Sequence, residues 1–275
     1  MPNKRVGLVG CGTIGSQLAL AVDSGKVANA SLNSLFDVLE ENAQSLKSRT
    51  MSNPAVYADF GQFIDSEIDL VVEAASQDAV RTYGRDILAA GKDLMIMSVG
   101  ALAEEAFLSG LLDVSSKKRC RIYVPTGAIA GIDAIRSVRH MIESVMLTTT
   151  KNPKALAGAP FFNTSEIKCE SIGSKTVIYE GSAAEAVKAF PANVNVAAAL
   201  SLAGIGAEKT RVKIVADPGS TTNQHEILAK GSFGELRISV NNVPSPGNPK
   251  TSYLAILSAI ECLRSICDDG MRIGS

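Results

Sequence analysis

Short aliphatic runs recur along the first half of the chain, at residues 5–9, 30–36, 68–73, 94–98 and 120–124. Strands that are apolar on both sides lie inside a sheet covered on both faces, so these runs predict a parallel sheet. Helix-like segments alternate with them, at 13–22, 38–47, 79–90 and 104–112. Strand–helix alternation of this kind specifies an α/β, doubly wound domain over residues 1–125.

Beyond Gly127 the pattern changes. Strand-like runs fall at 145–149, 175–179, 212–215, 226–229 and 236–240. In the last of these Leu236, Ile238 and Val240 alternate with Arg237, Ser239 and Asn241, the period of a strand with one wet face. Lys230-Gly231-Ser232-Phe233-Gly234 reads as a hairpin turn between two such runs. A mainly antiparallel sheet makes residues 126–249 an α+β domain, and two helices are expected in this half of the chain. The first of those helices is expected at 194–203, with asparagines at its start and Gly204 and Gly206 at its end as caps. The second carries an apolar stripe of Tyr253, Ile256, Leu257, Ile260, Leu263 and Cys267, and at about 250–270 is expected to pack back onto the first domain.

Charge nearly cancels, 27 Lys+Arg against 28 Asp+Glu, which argues against a nucleic-acid or anionic-membrane surface. Hydrophobic residues make up 46% and charged residues 20%, enough for packed cores and too apolar for a disordered chain. With aromatics at 5% and no Trp, those cores must be aliphatic. No apolar run approaches the roughly 18–20 residues that span a bilayer, and the first residues lead into a strand rather than a signal peptide. The five cysteines, Cys11, Cys120, Cys169, Cys262 and Cys267, form no CxxC pair, as expected of reduced thiols in a cytoplasm. His140 and His225 are the two histidines, so a multi-histidine metal site is not expected.

Gly10-Cys11-Gly12-Thr13-Ile14-Gly15 matches G-x-G-x-x-G in the setting that gives the motif meaning, after a strand and opening a helix. Gly10 permits the tight turn, Gly12 lets a pyrophosphate approach the backbone, and Gly15 permits close helix–strand packing. The helix N-terminus, with Thr13 and Ile14, faces the phosphates. Asp37 closes the second strand, 22 residues past Gly15. A carboxylate there accepts hydrogen bonds from the ribose hydroxyls and repels a 2′-phosphate, favouring NAD over NADP. Ala74, Ser98, Val99 and Gly100 stand at or just past the ends of two later strands, where small residues leave room for the nicotinamide half.

For proton transfer near neutral pH the best-suited side chain is an imidazole. His225 lies in Asp217-Pro218-Gly219-Ser220-Thr221-Thr222-Asn223-Gln224-His225, read as a polar loop entering a strand. His140 sits among Arg136, Arg139 and Glu143, on a helix face or at its end.

The chain resembles the L-aspartate dehydrogenases over nearly its whole length. The segments that carry the resemblance are Gly10 to Gly15, residues 98–102, 127–133, 193–198, 216–218 and 223–225, and Asn248-Pro249-Lys250-Thr251-Ser252. It implies NAD(P)-dependent oxidation of L-aspartate to iminoaspartate, which hydrolyses to oxaloacetate and ammonia or enters NAD biosynthesis, and it implies a homodimer. It also puts His225 at the catalytic position and Ala128 and Asn195 at NAD-contacting positions. Asn195 then bonds the carboxamide and meets the substrate, the rival being an ordinary helix cap. Lys250 and Thr251, with Ser252, offer a charge, hydroxyls and a helix mouth to the substrate's carboxylates. The rival there is a Pro-containing helix start with a solvated lysine.

Two other readings stay open. Homoserine dehydrogenases and dihydrodipicolinate reductases pair a nucleotide domain with an α+β domain, so architecture alone does not select a substrate. A non-catalytic NAD-binding regulator needs the glycine turn but not His225.

Overall fold

The structure, a computed structural model, describes residues 3–191, 194–268 and 270, with backbone alone at 248–250. The chain divides into two compact units. The first comprises the chain up to Ala101, Glu105–Pro125 and the segment from Ile256 onward; the second comprises Leu102–Glu104 and Thr126–Ala255.

In the first unit the elements run β1 (Lys4–Val9), α1 (Thr13–Asp23), β2 (Ala30–Phe36), α2 (Glu40–Lys47), β3 (Ala55–Tyr57), α3 (Phe60–Asp65), β4 (Leu70–Glu73) and α4 (Gln77–Ala89). Then come β5 (Asp93–Ile96), a 3-10 turn (Val99–Ala103) whose last two residues belong to the second unit, α5 (Glu105–Lys118) and β6 (Ile122–Tyr123). All six strands are parallel, in the order β3-β2-β1-β4-β5-β6. That is the Rossmann order, which reverses beside the first strand and opens a crevice at the strands' carboxyl ends. Leu8, Leu35, Leu70, Val71, Leu94 and Met95 are buried along the strands, but Phe36 and Phe63 are buried too and lie in ring contact, so the core is not purely aliphatic as composition suggested.

Three sequence expectations need correction here. The edge strand β3 and the short helix α3 were not foreseen, because β3 is brief and half-exposed and carries little periodicity. The helix expected to stop at 112 runs on to Lys118. The strand expected over 94–98 ends at Ile96, so Ser98 lies beyond it.

The second unit contains α6 (Ile132–Val138), β7 (Ile142–Lys151), α7 (Pro153–Leu156), α8 (Phe161–Thr164), β8 (Thr176–Ser182), α9 (Ala183–Ala189) and α10 (Asn195–Ala203). These lead to β9 (Arg211–Ala216), β10 (Asn223–Gly231), β11 (Gly234–Asn242), β12 (Pro244–Ser245) and β13 (Asn248–Ser252). Its main sheet, ordered β11-β10-β7-β9-β8, is mixed: β7 and β9 are parallel and the other neighbours antiparallel. The turn after β10 is the expected hairpin, with Gly231 paired to Gly234. Buried Leu147, Val212, Ile214, Ile227 and Ala229 share one face of the sheet.

More helices are present than the two expected; α9, for example, opens on a complete capping box of Ser182 and Glu185. The N-cap of α10 is Val194 with no side-chain cap bond, so the expected asparagine cap is not made at Asn195; Asn193 lies outside the described residues. Residues 248–252 form β13, which was not foreseen, and lead directly into α11 (Tyr253–Cys267), so Ser252 stands at the mouth of that helix as expected. On α11, Ile256, Leu263 and Cys267 are buried as the stripe predicts, whereas Leu257 is exposed. Arg264 Nε donates to the Lys26 carbonyl at 2.8 Å and Asn29 Nδ2 to the Cys267 carbonyl at 3.4 Å, tying the helix into the first unit.

Candidate functional site

The glycine turn of the first unit is built as a phosphate cradle requires. Gly10 has φ +93°, and a Cβ there would stand 2.7 Å from the Ala75 backbone nitrogen, so only glycine fits. A Cβ on Gly15 would collide with the Gly10 carbonyl oxygen, whereas one on Gly12, the N-cap of α1, would enter open space. Two glycines thus allow close packing, and the third leaves the backbone open to a ligand at a helix N-terminus whose first turn, with Thr13 and Ile14, holds no acid.

Asp37 follows β2 directly. Its Oδ2 accepts from the Cys11 backbone N–H at 2.7 Å, and its Oδ1 from the Leu39 N–H at 2.9 Å. The carboxylate is therefore held at the rim of a cleft of about 230 Å³, lined among others by Gly10, Phe36, Val38, Ser76 and Tyr83. These residues fit an adenosine with its pyrophosphate at the turn. Cys11 is a buried filler whose thiol burial pushes up to about 12.

At the ends of β4 and β5 the expectations named Ala74, Ser98, Val99 and Gly100. Ala74 is half-buried, and Ser98, Val99 and Gly100 are buried. The organising group there is one the sequence reading missed, Glu73. Its carboxylate accepts from Ser98 Oγ at 2.8 Å, the Ser98 N–H at 3.0 Å and the Ala75 N–H at 2.8 Å. Burial raises the pKa of Glu73 and those hydrogen bonds oppose the rise. The Ser98 hydroxyl is thus engaged in joining two strand ends.

In the second unit His225 lies within β10 rather than in a loop before it, and is 2% exposed. It pairs with Thr149 of β7 and Val240 of β11. Thr149 Oγ1 lies 3.0 Å from His225 Nδ1, leaving Nε2 as the ring's other nitrogen. Burial first, and the Lys151 charge second, hold the imidazole pKa down at about 3. Lys151 is itself buried, and desolvation brings its ammonium down to about 8. Asn223 and Asn242, a cross-strand pair, are buried beside them, and Asn242 Nδ2 donates to the Ala128 carbonyl at 2.9 Å. Thr149, Lys151, Asn223 and Asn242 also escaped the sequence reading. Their signal was polar type at the buried phase of alternating strands.

Ala128 therefore joins this polar group through its backbone. Asn195 opens α10 and is half-buried, and Thr251 is half-buried in β13. The side chain of Lys250 lies outside the described residues. His140 is exposed past the end of α6 and accepts from Arg139 Nε at 3.1 Å, apart from any buried group.

Two family models match. One described as "Aspartate dehydrogenase, C-terminal" covers residues 133–266, and one described as "Homoserine dehydrogenase, NAD binding domain" covers residues 10–125. An L-aspartate dehydrogenase of Nitrosopumilus maritimus is 48% identical over 99% of this chain and 100% of its own length. One of Methanosarcina acetivorans is 48% identical over 95% of this chain and 96% of its own. The crystal structure of aspartate dehydrogenase from Thermotoga maritima superposes with a TM-score of 0.76 at 28% identity, covering 98% of this chain and 99% of that one. With glycine turn, mixed second sheet and likeness running together along the full length, the chain belongs to the L-aspartate dehydrogenase family.

Proposed function

We propose that the chain oxidises L-aspartate to iminoaspartate with NAD as the preferred coenzyme and NADP as a poorer one, and that it does so as a homodimer. One observation carries the reading: the family likeness crosses both units unbroken, so the glycine turn and the buried imidazole belong to one plan. Gly10, Gly12, Thr13, Ile14 and Gly15 take the pyrophosphate, and Asp37 the ribose. Ala74, Ser98, Val99, Gly100, Ala128 and Asn195 serve the remainder of the coenzyme. The preference for NAD rests on Asp37, whose negative charge at the rim of the cleft disfavours a 2′-phosphate.

The bound coenzyme supplies the hydride acceptor. The chain's own groups must strip one proton from the substrate ammonium, so that the nitrogen lone pair can form C=N as hydride leaves Cα. His225 is the base for that proton, at Nε2, with Nδ1 held by Thr149. Water then adds to the iminium carbon, and loss of ammonia leaves oxaloacetate. A neutral imidazole can accept a proton, and the negative charge of an arriving dicarboxylate raises its affinity for one. Asn195, Lys250 and Thr251 are further substrate contacts in this reading.

The test is a spectrophotometric panel of amino acids with NAD and NADP. Turnover of L-aspartate and none of homoserine supports the proposal, whereas silence toward every amino acid despite NAD binding rejects it in favour of a regulator. H225A should lower turnover at least about a hundredfold with NAD affinity nearly intact, the scale of losing a general base. Light scattering tests the dimer.

A further inference from the structure

The buried face of the second unit's sheet is apolar along most of its length and turns polar at one end. Lys151 stands two positions beyond Thr149 on β7 and so shares its face, and Asn223 stands two positions before His225 on β10. The last rung of that ladder pairs Gln224 with Thr150, which makes Asn223 and Lys151 the next positions on the two strands. Both side chains are buried, at 3% and 4% exposure. Asn223 Nδ2 has no hydrogen-bond partner among the described residues. A buried donor left unmade costs about 1–3 kcal/mol, so its retention calls for an acceptor that arrives from outside. Its cross-strand neighbour Asn242, by contrast, has a partner for its amide nitrogen in the Ala128 carbonyl.

The Lys151 ammonium and the unsatisfied Asn223 amide N–H are thus donors at the polar end of the face that also carries the His225 ring. A carboxylate, flat and with about four lone-pair positions, complements them; a cation would be repelled. We infer that Lys151 and Asn223 bind a carboxylate of the amino-acid substrate, an assignment that rests on the function proposed above. The arrangement couples binding to proton transfer. When a carboxylate pairs with Lys151, the positive field that disfavours a proton on His225 is offset, so the base strengthens as substrate arrives.

The test compares the wild-type protein with K151M, K151R and N223A, using L-aspartate as substrate and succinate as a non-reacting dicarboxylate. In K151M and N223A, KM for L-aspartate and the inhibition constant of succinate should both rise about 10- to 100-fold, the value of hydrogen bonds to a charged group. The NAD dissociation constant should stay within about twofold, and K151R should recover part of the succinate binding. If K151M fails to fold, N223A carries the test, because it removes an amide nitrogen that has no hydrogen-bond partner among the described residues. Folded variants that keep both constants within about twofold overturn the assignment. So does a fall in kcat with both constants unchanged. A wild-type protein that ignores L-aspartate yet binds succinate through Lys151 refutes the proposed function and leaves the carboxylate site standing.

Discussion

The Thr149 hydroxyl, 3.0 Å from Nδ1 of His225, decides which ring nitrogen remains for chemistry. For Nε2 to take a proton, Nδ1 must carry the hydrogen and donate it to Thr149 Oγ1, so the threonine acts as the acceptor that selects the tautomer.

Removing that acceptor should cost rate and leave the coenzyme alone. T149V is expected to lower kcat about tenfold, equivalent to about 1.4 kcal/mol, with NAD affinity unchanged; T149S should stay near wild type. Equal kcat in T149V and wild type would show that the hydroxyl does not orient the ring.

The depressed pKa of His225 sets a direction for stability against pH. Its folded value of about 3 lies below the ordinary 6.5 because burial, reinforced by Lys151, disfavours the imidazolium. The contribution is therefore complete above pH 6.5 and is lost as pH falls toward 3, by at most about 1.4 kcal/mol per unit. Lys151 titrates elsewhere, between about 8 and its ordinary 10.5, so the two windows separate. Urea midpoints measured from pH 6.5 to 4 should fall less steeply in H225Q than in wild type. Parallel curves would mean that the imidazole is protonated in the folded protein.

Asp37 should govern the choice of coenzyme. D37A is expected to lower the ratio of kcat/KM for NAD over NADP by about tenfold or more, the scale of one charged hydrogen-bonding group. An unaltered ratio would place the ribose away from this carboxylate.

Glu73 joins the ends of β4 and β5 through Ala75 and Ser98. E73A strands those buried donors and should cost about 2–4 kcal/mol, seen as a drop in Tm of about 4–15 °C together with weaker NAD binding. Unchanged calorimetry would show that water replaces the carboxylate without loss.

Much of the first unit was legible in the chain. The run over 30–36 became β2 with the same bounds, its last three residues buried on both faces between β1 and β3. The glycine turn was equally readable, since Gly10 and Gly15 are fixed by clashes that no other side chain escapes. What stayed hidden was polarity in buried places. Asn223 and His225 resemble loop residues in composition, and Asn is a poor strand former. They become a strand through partners about 75 residues away on β7 and through the hairpin partner β11. Lys151 reads locally as the charged end of a strand, and only the ladder beside it shows that it is buried. Residues 248–252 misled for the opposite reason: Pro249 punctuates like a helix entry, while pairing of Ser252 with Pro244 makes the segment a hairpin arm.

The return of α11 to the first unit has a consequence for biosynthesis. A nascent chain emerging from the ribosome exposes all six parallel strands long before Ile256, Leu263 and Cys267 exist to complete that unit's surface. The first unit is therefore the first to begin folding, yet it is completed only after the whole of the second unit has been made.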